Sequence, residues 1–227
     1  INLWKFYRDN GELIEERNYS NGMRNGTTTE YFQGYVGKKY KYQNYVNDYI
    51  SGLSITYYND EYNNKMEEGE YTVLNDSYGK RSVKNGKWKL YAYLLNMPHI
   101  EANKYIVEKT YANGLKEGPY CTYDTQGQMT SQTQYKNDKE NGLSISYNNG
   151  IAIKEINYID GKKNGLYIER DWNTGATIVN GNYINDKREG TWTMSDMNGK
   201  VNEIYEYVND EVVKITMPPA SKRQFKK

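Results

Sequence analysis

A single histidine, His99, and a single cysteine, Cys121, are the side chains best suited to covalent or proton-transfer chemistry. A catalytic histidine needs an activated partner held in turn by a third group. The segment Asn96-Met97-Pro98-His99 supplies neither, and reads as a solvent-facing loop. One His and one Cys cannot build the usual first shell of a transition metal. Cys121 follows Tyr120 in a β-prone run and reads as a buried, inert thiol. A lone cysteine also rules out an intramolecular disulfide. Carboxylate pairs such as Asp60-Glu61 and Glu67-Glu68 would serve a glycosidase only if they faced each other across a cleft, and loop charge accounts for them. Asp48, Asp138, Asp186 and Asp210 occupy turn positions where an ion could be ligated, but where turn chemistry alone suffices. No glycine loop with its phosphate-binding lysine is present. The residues therefore point to a protein without catalytic, cofactor or metal sites.

The elements around these residues repeat. Six segments share one spacing: Tyr, any residue, Asn or Asp, Gly or Asp, three residues, Gly. They run Tyr19 to Gly26, Tyr45 to Gly52, Tyr111 to Gly118, Tyr135 to Gly142, Tyr158 to Gly165 and Tyr183 to Gly190. A seventh starts at Tyr207 but has Lys214 where glycine belongs, as expected of a terminal repeat. Gly86 reads as a further closing glycine without a tyrosine seven places before it. Asx-Gly and Asn-Asp pairs tolerate the positive φ that a tight connection between twisted strands requires. The closing glycine either takes such a φ itself or lets a neighbouring ring lie over bare backbone. After each one comes a run such as Leu143-Ser144-Ile145-Ser146-Tyr147, alternating apolar and polar with period two. A second turn signal follows, for example Asn149-Gly150 or Asn198-Gly199. The chain thus reads as all-β: an antiparallel meander of repeated hairpins over 1–216, followed by a basic, flexible tail at 217–227 that could touch a membrane peripherally. The units at 59–110 are longer, and insertions at 59–68 and 94–103 are expected to absorb the excess.

The pattern in "NYSNGMRNG", "TYANGLKEGPY" and "NYIDGKKNGLYIE" resembles the MORN repeat in its bacterial variant. The likeness is close over 2–32, 45–58 and 111–213 and loose over 59–110. The resemblance implies an elongated, curved, single-layered antiparallel sheet that mostly supports protein–protein contacts. Lipid binding has been proposed for some members, and some bacterial ones are classed as antitoxin-like. No shared catalytic residues come with it.

Composition agrees with a thin sheet. Hydrophobic residues make up only 37%, yet 26 tyrosines carry apolar rings with wet hydroxyls. Lys plus Arg is 30 against 29 for Asp plus Glu, so the charge of +1 offers no general counterion-displacing surface for nucleic acid. Tyr19, Tyr45, Tyr111, Tyr135, Tyr158, Tyr183 and Tyr207 are expected to stack on one another as a ladder. Trp4, Trp88, Tyr120, Tyr167 and Trp192 stand two positions after a closing glycine, or after Asn2 in its place, and form a second row. That second row is the candidate partner-binding face. The reading is a non-enzymatic scaffold that binds another protein. Rich use of Asn, Lys, Tyr and Ile, with a start that lacks Met, leans towards a bacterial cell-envelope or exported assembly. A glycan- or cell-wall-binding module using exposed Trp88 and Trp192, and a cytoplasmic toxin neutraliser, are the alternatives. Open sheet edges would also allow self-association.

Overall fold

A computed structural model describes residues 1–92 and 104–218. His99, the expected insertion at 94–103 and the tail from residue 219 lie outside the described residues. Every regular element among the described residues is a strand, so the chain is all-β. Contacts divide what the sequence reads as one array into two units. The first comprises residues 1–128 with 136–138; the second comprises 129–135 and the chain from 139 on.

In the first unit lie β1 (Asn2–Tyr7), β2 (Leu13–Ser20), β3 (Met23–Tyr31), β4 (Lys39–Val46) and β5 (Tyr49–Tyr57). They are followed by β6 (Lys65–Asp76), β7 (Gly79–Tyr91), β8 (Tyr105–Ala112) and β9 (Leu115–Tyr123). From β1 to β8 each pairs antiparallel with its successor. The second unit carries most of β10 (Met129–Lys136), then β11 (Lys139–Asn148), β12 (Ile151–Ile159), β13 (Lys162–Arg170) and β14 (Thr177–Ile184). It ends with β15 (Lys187–Ser195), β16 (Val201–Val208) and β17 (Glu211–Thr216), and the strands from β11 to β17 again pair with their successors.

The turns follow from their residues. Asn185 and Asp186 have φ of 50° and 69°, and Asn209 and Asp210 of 53° and 74°. Two consecutive positive φ values match the right-handed twist of the flanking strands. At the other ends an aspartate organises the turn: Asp196 Oδ1 accepts from the backbone N–H of Asn198 at 2.9 Å and of Lys200 at 3.0 Å.

The closing glycines mark bulges. Between Asn157 and its hairpin partner strand, residues 164–166 face one residue, and Gly165 takes φ of 105°. A side chain there would be strained by that φ, and its Cβ would also meet Asn157 Cβ at 3.5 Å. Gly26, Gly52, Gly86, Gly118, Gly142 and Gly190 share the positive φ. On its other side the closing glycine pairs with the next repeat tyrosine, as in Gly142↔Tyr158, Gly165↔Tyr183 and Gly190↔Tyr207.

This register corrects the placement of one insertion. Gly52 pairs with Tyr71, nineteen positions on, the same interval as from Gly26 to Tyr45. Residues 59–68 therefore insert nothing. The excess lies in the hairpin itself, where Tyr71 precedes Gly86 by fifteen positions instead of seven, and β6 and β7 run on to a Ser77-Tyr78 turn. Tyr71 is thus a repeat tyrosine that the spacing rule does not find.

Candidate functional site

The two expected aromatic rows turn out to be one. Successive repeat tyrosines stand on alternate strands, about 9.5 Å apart at the usual strand spacing, too far to stack directly. The ring two positions after the closing glycine projects from the strand between them. Trp192 lies between Tyr183, at 5.0 Å between centroids, and Tyr207, at 6.0 Å, with interplanar angles of 83° and 73°. Trp88 lies between Tyr71 at 5.2 Å and Tyr111 at 6.5 Å, again edge to face. Tyr167 meets Tyr183 at 5.7 Å. Ile156, Tyr167, Trp192 and Tyr207 form the buried core of the second unit, with Tyr158, Val179, Tyr183 and Tyr205 packed against it. Edge-to-face pairs add about 0.5–1.5 kcal/mol each beyond area burial.

Burial decides which of these rings a partner can reach. Trp192 is 2% exposed, Trp88 3% and Tyr167 8%. Their ring faces are closed, so Trp88 and Trp192 offer nothing to a sugar or a partner surface. Tyr120 is half-buried, with the Lys109 ammonium 5.8 Å from its ring. Trp4 alone of the row is open, at 58%. Among the repeat tyrosines, Tyr45 and Tyr207 are buried and Tyr19, Tyr111, Tyr135, Tyr158 and Tyr183 half-buried.

Buried indoles need room beneath them, and glycine supplies it. A Cβ added at Gly181 would stand 2.1 Å from Trp192, and one at Gly69 would stand 2.2 Å from Trp88. The ring-over-backbone role thus belongs to these two glycines, which lie two positions ahead of Tyr183 and Tyr71, not to the closing glycines. The indole N–H donates to the carbonyl of the next residue, Asn182 at 3.2 Å and Glu70 at 3.1 Å. Two other units place a residue longer than glycine two ahead of the tyrosine and a small one opposite it, whereas Lys109 pairs with Tyr120 and Ile156 with Tyr167. Gln43 faces Ser54, with Nε2 donating to Oγ at 3.2 Å, and Thr133 and Ser144 share a 2.8 Å hydroxyl bond.

A second regularity was not anticipated. The residue two before a closing glycine is often basic, and it covers the next repeat tyrosine. Arg24 lies 4.3 Å over Tyr45, Lys163 5.0 Å over Tyr183 and Arg188 4.1 Å over Tyr207. Lys84 sits 3.7 Å over Trp88. The backbone N–H of Arg24, Lys116 and Lys163 each donates, at 2.8 Å, to Oδ1 of Asp48, Asp138 and Asp186 in the following turn. Those aspartates return their own N–H to the carbonyls of Arg24, Lys116 and Lys163 at 3.0–3.1 Å. Aspartate in place of turn glycine therefore laces one hairpin to the next. Arg188 Nε reaches Asp210 at 2.6 Å in the same way, which holds the Asp210 carboxyl below its ordinary range.

A third aromatic set, Tyr7, Tyr31, Tyr57, Tyr91, Tyr123 and Tyr147, stands five positions after the closing glycine or Asn2. Tyr91 donates to Glu68 and Tyr31 to Glu16 at 2.7 Å. Burial, followed by that carboxylate acceptor, pushes the Tyr31 phenol up to about 12. Burial drives the Tyr91 phenol up further, helped by Glu68. The same Tyr31 bond, together with Lys5, holds the Glu16 carboxyl below its usual range.

An open aromatic groove lies beside β1. Asn2, Trp4, Phe6, Arg17 and Tyr19 line a groove of about 440 Å³. Trp4 meets Tyr19 edge-on at 6.1 Å, and the Arg17 guanidinium lies 4.4 Å over Phe6. Glu15 grips that guanidinium with two bonds of 2.5 and 2.6 Å and raises its pKa further. The second exposed tryptophan, Trp172, crowns the turn that Asp171 organises by accepting from Asn173 and Thr174. Among the described residues, no three His, Cys, Asp or Glu side chains come together as metal ligands. No protein-family model and no curated protein matches this chain.

Proposed function

We propose that this is a non-enzymatic, MORN-like repeat scaffold that binds another polypeptide. The observation that carries the reading is the contrast among the tryptophans. Trp88 and Trp192 are buried between two tyrosines each, whereas Trp172 is 62% exposed on the turn that Asp171 organises. Exposed tryptophans are among the side chains on which protein interfaces concentrate their binding energy.

The test is a photo-crosslinking amino acid at position 172 of the full chain in its native host. A defined protein adduct, lost when the crosslinker is moved to the buried position 192, is the expected result. Absence of any protein adduct, with tryptophan fluorescence responding to cell-wall polysaccharide, would replace this reading by the glycan-binding one. That alternative now has to rest on the exposed rings of Trp172 and Trp4.

A further inference from the structure

We infer that the end of the second unit carrying Trp172 and Met197 binds an arginine-bearing segment of a separate polypeptide, its guanidinium groups lying on the indole and pairing with Asp171 and Asp196. The inference rests on the protein-binding reading and names the chemistry of what is bound.

Turn chemistry does not call for these two side chains. Between β9 and β10, Asp124 Oδ1 accepts from the backbone N–H of Gln126 at 2.9 Å and of Gln128 at 2.8 Å. Asp196 Oδ1 accepts from Asn198 and Lys200 in the same way. The residue after the aspartate is Thr125 in the one turn and Met197 in the other, so a short polar side chain serves that position equally. Met197 is nevertheless 63% exposed, and Trp172, next after Asp171, 62%. Both hold apolar surface in water that the fold does not use.

Two contacts join the turns into one surface. Thr174 Oγ1 donates to the Met197 carbonyl at 2.6 Å, and a Cβ on Gly199 would lie 3.5 Å from Ala176 Cβ. Residues 168–177 and 194–203 carry four carboxylates, Glu169, Asp171, Asp196 and Glu203, against two cations, Arg170 and Lys200. Arg170 is engaged by Glu155, 2.6 Å away. Asp171 and Asp196 each hold their turn through Oδ1, which leaves Oδ2 of each without a partner among the described residues. The Thr174 N–H, foremost among its bonds, holds the Asp171 carboxyl below its ordinary range, so it is ionised at neutral pH. A guanidinium suits an indole beside carboxylates. It is a flat, weakly hydrated cation that stacks on the ring while its forked N–H groups reach an oxygen. The Met197 thioether adds an adaptable apolar contact for a neighbouring side chain.

The probe is a short labelled synthetic peptide of alternating arginine and leucine, titrated with the full chain and followed by fluorescence anisotropy. A second peptide has glutamate in place of arginine. The arginine peptide should saturate, and the glutamate peptide should bind at least about tenfold more weakly. Trp172→Ala should weaken the arginine peptide at least about tenfold, with circular dichroism unchanged because the ring is exposed, whereas Trp4→Ala should leave binding as it was. Asp171→Asn combined with Asp196→Asn keeps both Oδ1 acceptors and removes the charge, and should weaken binding and flatten its dependence on salt. Failure of the arginine peptide to saturate, equal binding of the two peptides, or full affinity for the Trp172→Ala chain would overturn the inference. A protein adduct at position 172 without peptide binding leaves the scaffold reading standing alone. Silence in both assays ends both.

Discussion

Replacing Gly181 by alanine tests the packing at its tightest point. The added Cβ would lie 2.1, 2.3 and 2.5 Å from Cδ2, Cε2 and Cγ of Trp192. Carbon atoms rest at roughly 3.5–4.0 Å, so the ring must withdraw by about 1.5 Å. It has nowhere to go: it is 2% exposed and held by Tyr167, Tyr183 and Tyr207 at centroid distances of 5.4, 5.0 and 6.0 Å. Withdrawal also lengthens the 3.2 Å bond to the Asn182 carbonyl. Overpacking costs about 1–3 kcal/mol, and loosening two aromatic contacts adds about 1 kcal/mol or more. The expected loss is therefore about 3 kcal/mol, measured by urea unfolding followed with far-UV circular dichroism. Trp192→Ser should itself cost about 3–5 kcal/mol through the cavity it leaves. In that background Gly181→Ala should cost less than about 1 kcal/mol, because serine opposite a larger residue is the arrangement found at Gln43 and Ser54. Additive losses in the double variant would refute the reasoning.

Three further outcomes follow from the geometry. The Tyr31 phenol is raised from an ordinary 10 to about 12, so its share of stability is complete below pH 10 and disappears as pH rises through 12; Tyr31→Phe should flatten that alkaline loss, read by urea midpoints at pH 9 and 11.5. Asp186→Gly keeps a residue suited to φ of 69° but loses the bond from the Lys163 N–H, and should cost about 1 kcal/mol in thermal unfolding, whereas Asp186→Val should cost more because a β-branched residue resists that φ. Cys121 is buried, and burial pushes its thiol up, so it should react with a chromogenic disulfide only once urea unfolds the first unit.

The hairpins were legible because their turns carry backbone instructions locally. Asn-Gly, Asp-Gly and Asn-Asp specify positive φ without reference to anything distant, and Gly165 announces its bulge in the same way. The long hairpin was not legible, because Ser77-Tyr78 carries no Asx-Gly signal, although Asp76 caps it by accepting from the Tyr78 N–H at 2.9 Å. Tyr71 was lost with it. The interleaving of the rings was hidden for a different reason. Period two along a strand says which face a residue takes, but not what stands opposite it on the neighbouring strand. For the two buried tryptophans the clue was present in the glycine two positions ahead of a repeat tyrosine, Gly69 for Trp88 and Gly181 for Trp192. Burial of Trp88 and Trp192 follows from that pairing, and it removes both from the candidate surface. The basic residue two before the closing glycine was equally visible, at Arg24, Lys84, Lys116, Lys163 and Arg188, but its role needs the register to bring it over the next tyrosine.

A proton spectrum of the full chain tests the central arrangement most directly. With indole rings lying over bare backbone, the Hα protons of Gly69 and Gly181 should be shifted far upfield by the ring current, with cross-relaxation to Trp88 and Trp192 respectively. Glycine Hα protons at ordinary positions, with direct cross-relaxation between the rings of Tyr183 and Tyr207, would contradict it.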